Sequence, residues 1–221
     1  MEHVVLSWSG GKDCALALYE IQHSHEYTVA ALLTTITRDY DRISMHGVRR
    51  ALLERQAESA GLPLLKVFIP TNCTNEIYAE IMEKEMNRLK AEGINAVAFG
   101  DIFLQDVREY RENNLAKVGM KAIFPLWGRG SRELVTSFVN LGFKAIIVTV
   151  DPRKLSKEFC GSIIDSVFLN ALPQDVDPAG ENGEFHSFVF EGPVFKNPIR
   201  FSVGEKVQRD GFWFCDLLLV D

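Results

Sequence analysis

The stretch Ser7-Trp8-Ser9-Gly10-Gly11-Lys12-Asp13-Cys14 combines residue types and spacing suited to holding a polyanion. It follows an apolar run, Val4–Trp8, and opens a helical pattern that begins near Lys12 and repeats Cys14, Ala17, Leu18 and Ile21. The first-turn N–H groups of a helix lack carbonyl partners, and the helix dipole adds partial positive charge there. Two adjacent glycines let the backbone curl around phosphate oxygens, and Ser9 adds a hydroxyl. Lys12 supplies a movable positive charge, and Asp13 can hold Mg²⁺ against the phosphates. A glycine turn with a capping serine is the structural alternative. The spacing is not that of a Walker-type P-loop. That pattern needs glycine where Leu6 stands and Ser or Thr where Asp13 stands. The dinucleotide fingerprint Gly-x-Gly-x-x-Gly is also absent.

Other residues are candidates by position. Gly100 and Asp101 follow an apolar run and so lie beyond the carboxyl end of a strand, where open parallel sheets bind ligands. Asp101 reads equally as a nucleotide or metal contact and as a turn residue. Arg108 and Arg111 are three apart and fit a solvated helix face better than an anion site. Glu181, Glu184 and His186 lie in a glycine-broken loop and could bind Mg²⁺, orient ammonia or shuttle a proton. A turn with water-facing acids is the alternative. Trp127 follows a strand on the nucleotide side, whereas Phe212-Trp213-Phe214 reads as core or interface.

The elements needed to position these groups are legible as a pattern. Strands are expected at Val4–Trp8, Val29–Thr35, Leu64–Ile69, Ala96–Gly100, Lys121–Leu126 and Ala145–Val150. Helices alternate with them near Lys12, Val48–Ala60, Asn75–Glu92, Asp106–Lys117 and from Ser131 to Gly142. This alternation predicts an α/β domain with a parallel sheet. After Asp151 the pattern changes to a weak helix near Ser162–Ala171, then a loop about Pro173–Gly183. Strand-like runs follow at Phe185–Glu191, Ile199–Val207 and Phe212–Val220, which suggest a small α+β lobe.

Composition narrows the class. The chain has 221 residues, 47% apolar and 24% charged, with a formal net charge of −6. These are globular values, and the acidic balance argues against a large nucleic-acid footprint. No apolar run approaches a bilayer span, and no signal peptide is read. The four cysteines (Cys14, Cys73, Cys160, Cys215) are far apart, which points to neither zinc nor disulfides and suits a reducing cytoplasm.

Ser9-Gly10-Gly11-Lys12-Asp13-Cys14 resembles the pyrophosphate loop, Ser-Gly-Gly-x-Asp-Ser, of the N-type ATP pyrophosphatases, with Cys14 at the final serine. Pro125-Leu126-Trp127-Gly128, Gly142–Ile147 and above all Asp177-Pro178-Ala179-Gly180-Glu181-Asn182-Gly183-Glu184-Phe185-His186 resemble the diphthine–ammonia ligase family. Asp101–Arg111 and Ser44-Met45-His46 depart from its pattern, which suggests a divergent branch of bacterial type. The resemblance implies a Rossmann-like parallel sheet with helices on both faces, in an ATP pyrophosphatase domain at residues 1–130. A substrate-binding lobe would occupy residues 131–221. It also implies cleavage of ATP to AMP and pyrophosphate, adenylation of an unidentified carboxylate, and amidation by ammonia. Ser7, Ser9, Gly10, Gly11, Lys12, Asp13, Cys14, Thr34, His46 and Gly100 would bind nucleotide, and Asp13 and Asp101 would hold Mg²⁺. Lys12, Asp13, Glu184 and His186 would be catalytic, while Glu181, Glu184, His186 and Trp127 would meet the substrate. A homodimer is among the assemblies allowed. The competing readings are a tRNA-modifying enzyme of the same superfamily and a nucleotide sensor without turnover.

Overall fold

The computed structural model describes residues 1–43 and 46–220, so Ser44 and Met45 of the expected Ser44–His46 stretch lie outside the described residues. Strand β1 (Glu2–Ser7) lies between β2 (Tyr27–Thr37) and β5 (Ala96–Ala98), parallel to both. Beyond β2 lies β4 (Leu64–Ile69), and beyond β5 lies β6 (Lys121–Ile123), also parallel. The parallel order β4-β2-β1-β5-β6 therefore reverses direction at β1, and such a reversal opens a ligand crevice at the carboxyl end of that strand. A two-residue antiparallel strand, β3 (Arg42–Ile43), extends β2 past the end of β1.

Alternation along β1 assigns the two faces of this sheet. Val4 and Leu6 join the larger core with Leu16, Leu18, Leu52 and Phe138, whereas Val5 joins the smaller one with Leu33, Met86, Leu89 and Leu115. Helices cover both faces: α1 (Lys12–Ser24), α2 (Arg50–Ala60), α3 (Asn75–Ala91), α4 (Gln105–Lys117) and α5 (Ser131–Asn140).

The run Ala145–Val150, expected among the parallel strands, belongs elsewhere. As β7 (Lys144–Val150) it pairs antiparallel with β8 (Phe185–Glu191) and β10 (Phe212–Leu219), and β9 (Phe201–Arg209) completes a second sheet in the order β8-β7-β10-β9. From Ala145 onward β7 is buried along its whole length, so it reads as a continuous apolar run, the same signal a central parallel strand gives. The expected Ser162–Ala171 helix shortens to α6 (Ser166–Ala171), because Asp165 caps it by accepting the Phe168 N–H at 2.8 Å.

One buried amide joins the two sheets. Gln56 of α2 is 0% exposed. Its Nε2 donates to Gly10 O at 3.0 Å and to Val189 O at 2.6 Å, while its Oε1 accepts from Trp8 Nε1 at 2.9 Å. The Val189 N–H also donates to Gly10 O at 2.9 Å. Strand β8 is thereby laid against the glycine loop. Gly10 has φ +78°, and a Cβ there would come within 2.7 Å of Gln56 Oε1, so both backbone conformation and close approach require glycine. Asp216 of β10 makes a second tie, accepting from Arg49 and Arg42. Burial opposes its ionisation, but those hydrogen bonds hold its pKa down at about 2.

Gln56→Leu removes all three bonds and strands a buried indole N–H and the Val189 carbonyl, while Gly10 O keeps the Val189 N–H. Each stranded group costs about 1–3 kcal/mol, so chemical denaturation should show a loss of at least about 2 kcal/mol. A loss under about 1 kcal/mol would show that the amide is not the tie between the sheets.

Candidate active site

The loop between β1 and α1 ends at Gly11, the N-cap of α1, whose backbone is extended and which provides no side-chain cap. Gly11 thus supplies no hydroxyl or carboxylate cap of its own, and the Lys12 N–H donates instead to Ser187 Oγ. Ser9 Oγ accepts the Gly11 N–H at 3.3 Å, and the Cys14 thiol donates to Gly11 O at 3.1 Å. Burial pushes the Cys14 pKa up to about 11, so this residue is a neutral thiol turned into the loop.

Two adjoining chambers lie over this junction. The inner one, about 270 Å³, has walls from Gly11–Cys14, Gly100–Asp101 and the loop that runs from Gly180 into β8. The outer one, about 380 Å³, lies between the carboxyl ends of β1 and β2 and the flanks of α3 and α4. Ser7, Ser9, His46, Phe99 and Arg111 line both. The outer chamber is walled by Tyr78, Met82 and Met86 of α3 and by Tyr110 and Asn114 of α4. Thr34, 2% exposed, lines it and carries a buried Oγ1 without a partner.

Charge in the inner chamber centres on Lys12, which is 3% exposed. Its Nζ donates to Asp13 Oδ2 at 2.8 Å and lies 5.6 Å from the Phe185 ring centroid. Asp13 Oδ1 is buried without a hydrogen-bond partner among the described residues. Burial raises the Asp13 pKa, Lys12 opposes that shift, and the charge of Asp101 adds to it. Glu181 accepts the Ile102 N–H at 2.8 Å. Burial, then the charge of Asp13, push its pKa up to about 7. Asp101 is bound by Arg111, at 2.7 Å from Nε and 3.1 Å from Nη2, and that guanidinium lies 4.3 Å from the Phe99 ring centroid.

The rings of His46 and His186 stack with centroids 4.2 Å apart. His46 Nδ1 is buried and has no hydrogen-bond partner among the described residues, and the Thr149 hydroxyl donates to the His46 carbonyl at 3.1 Å. Burial, then the positive charge of Lys12, lower the His186 pKa to about 4. Burial and His186 hold His46 well below its ordinary value. At neutral pH both imidazoles are uncharged and able to accept a proton.

With the geometry in place, the chain can be compared with known proteins. A family model described as the diphthamide synthase N-terminal domain matches residues 1–122, and one for the diphthamide synthase C-terminal domain matches residues 130–218. The chain belongs to the diphthamide synthase family. It is similar to the diphthine–ammonia ligase of Rattus norvegicus, 25% identical over 221 residues that cover 90% of this chain and 82% of the relative. The Homo sapiens protein of the same name is 24% identical over 221 residues, with the same coverage. That of Schizosaccharomyces pombe is 25% identical over 232 residues, 95% of this chain but only 38% of the longer relative. Among the described residues, no helix is long and apolar enough to cross a membrane.

In this member of the diphthamide synthase family, the fold brings Ser7, Ser9, Gly11, Lys12, Asp13, Cys14, His46, Gly100, Asp101, Glu181 and His186 to one chamber, although Lys12 and His186 are far apart in sequence. Gly10 lies behind the loop against Gln56, and Thr34 faces the outer chamber. Gly100 is required by packing, since a Cβ there would meet the Asp13 carbonyl carbon at 2.8 Å.

Two residues sit elsewhere. Glu184 lines neither chamber: its Oε1 accepts the Asp177 N–H and the Asn182 side-chain N–H, both at 3.1 Å, bracing its own loop. Trp127 lines neither chamber either, and packs against Phe124 with the Arg108 guanidinium 4.6 Å from its ring centroid. The solvated face expected for Arg108 and Arg111 is also absent, since one covers aromatic rings and the other pairs with Asp101 in the cleft. Sequence reasoning missed Gln56, Ser187 and the α3–α4 wall. Gln56 looks like an ordinary polar helix residue, and only a buried glutamine's need for partners could have flagged it.

The histidines make the site's protonation measurable. The unfolded chain takes up these protons near pH 6.5, whereas folded His186 waits until about pH 4. The unfolded state binds more protons in that window, so stability should fall as pH drops from about 6.5 to 4. NMR titration should show the His186 ring inflecting near pH 4, and His186→Ala should flatten the acid limb of stability against pH. A ring that titrates near 6.5 would contradict the neutral pair.

Proposed function

We propose that this chain is an ATP-dependent, amide-forming ligase that releases AMP and pyrophosphate, adenylates a substrate carboxylate and transfers ammonia to it. The observation that carries this reading is the first turn of α1, whose N-cap is a glycine without a side chain, opening with Lys12 and Asp13 into the chamber that His46 and His186 also line. The relatives' name, diphthine–ammonia ligase, supports the same chemistry and names diphthine as their substrate.

In this reading the outer chamber takes the nucleoside of ATP, with its α3–α4 wall covering the base and the Thr34 hydroxyl offering a polar contact. The positive end of α1 and the Lys12 ammonium bind the phosphates, and Lys12 offsets the charge that builds on the departing pyrophosphate. Mg²⁺ fits the donor set, because Asp13 presents a buried, unpartnered oxygen and the carboxylates of Asp101 and Glu181 lie close enough to perturb it. Among the described residues no group of three or more His, Cys, Asp or Glu could hold a metal alone, as suits an ion that takes phosphate oxygens and waters as further ligands. When bound, Mg²⁺ would neutralise phosphate charge. The neutral His186 and His46 lie across the same chamber, placed to take a proton from the incoming nitrogen. Asp101 is tied to Arg111, which leaves Asp13 as the carboxylate best placed to contact the metal. Holding nucleotide, carboxylate and ammonia in one cleft converts a three-body encounter into steps within one complex.

The test is a product assay with ATP, Mg²⁺, ammonium and a panel of carboxylates that includes diphthine. Substrate-stimulated turnover should yield AMP and pyrophosphate, and ADP as the main product would refute the assignment. His186→Ala should leave ATP affinity within about threefold, under ~0.7 kcal/mol, while depressing amide formation by roughly 10²-fold. A collapse of ATP affinity in a folded His186→Ala chain would place that residue in the nucleotide site instead.

A further inference from the structure

Ser187 was singled out neither by motif nor by charge, yet it reaches across from the second sheet to the start of α1. The Lys12 N–H, one of the first-turn amides that face the inner chamber, donates to Ser187 Oγ at 3.1 Å. Ser187 is 4% exposed, lines the 270 Å³ chamber, and its hydroxyl lies 3.6 Å from where a Gly11 Cβ would stand. A hydroxyl carries one proton to donate and two lone pairs to accept with. Here one lone pair takes the amide, and the proton meets no acceptor among the described residues. The other small side chains of the loop are differently engaged. The Cys14 thiol is turned inward to Gly11 O, and Ser9 Oγ holds the Gly11 N–H and contacts Cys14 Sγ at 3.6 Å.

We propose that Ser187 is a phosphate-binding residue contributed by the second sheet, whose hydroxyl donates to a phosphate oxygen held over Gly11–Asp13. The inference rests on the ATP reading above and adds a residue from outside the glycine loop. Its geometry follows from the clasp, because Gln56 and the Val189 N–H seat β8 on Gly10, two residues beyond Ser187. The hydroxyl stands between Lys12 and the approaching phosphate, either donating while it keeps the amide or rotating aside to release it. Both give the phosphates a bond to the strand that carries His186, so phosphate occupancy and the position of the acceptor groups become linked.

Calorimetry on the intact chain in Mg²⁺ buffer tests this with three probes: inorganic pyrophosphate, a non-hydrolysable ATP analogue and adenosine. A hydrogen bond to a charged group predicts that Ser187→Ala weakens pyrophosphate and the analogue by about tenfold or more. Adenosine affinity should stay within about twofold, and Ser187→Thr should restore most of the loss. If Ser187→Ala melts early, the near-isosteric Ser187→Cys, a weaker donor, should show the same selective loss. Unchanged pyrophosphate affinity in either folded variant, or an equal loss for adenosine and pyrophosphate, overturns the proposal while the ATP reading stands. Wild-type protein that binds none of the three probes overturns the ATP reading and this inference with it.

Discussion

The site depends on one constraint: β8 must lie flat against the backbone of the β1–α1 loop. Gln56 satisfies two carbonyls and an indole N–H at the junction, and Val189 adds its own N–H to Gly10 O. In a dry interior those groups cannot turn to water, so the register between loop and strand has little freedom. His186 and Ser187 inherit their positions from that register. The glycine at position 10 follows from the same contact, since a side chain there would strike the amide that makes it.

Charge balance sets the electrostatic character of the cleft. Asp13, Asp101 and Glu181 gather near a single buried lysine, and Arg111 is already committed to Asp101. Burial and mutual repulsion raise the pKa of Asp13 and of Glu181, so the cleft disfavours the charges it carries. A divalent ion would relieve that repulsion, whereas a bare triphosphate would add to it. The neutral imidazoles opposite fit the same field, because a second positive charge beside Lys12 is disfavoured there.

The two sheets bury one continuous core, which holds Leu6 of the first and Leu16 of α1 with Ile147, Phe188 and Val189 of the second. That continuity makes the cleft between them a fixed feature of the fold. It also explains why α1 is so thoroughly buried, with Cys14 through Leu18 enclosed and the helix packed against both β2 and β8. The same helix therefore touches the strand that carries His186.

Taken alone, the sequence determined the strand, glycine loop and helix at Val4–Ile21, the alternation that makes a parallel sheet, and the change of pattern after Asp151. These are local properties: periodicity, turn chemistry and unpaired helix amides are written in consecutive residues. The Asp177–His186 motif was legible as chemistry by residue type, but not by role. Glu181 and His186 face the cleft while Glu184 turns back to brace Asp177 and Asn182, and neighbours of like chemistry give no sign of which way each will point. The tertiary structure alone decided that β7 is antiparallel, because a strand buried on both faces carries no alternation to report its partners. It alone placed Ser187 and Gln56 at the loop, since hydrogen bonds to Lys12 and Gly10 from residues 175 and 46 positions away leave no periodic trace in the chain.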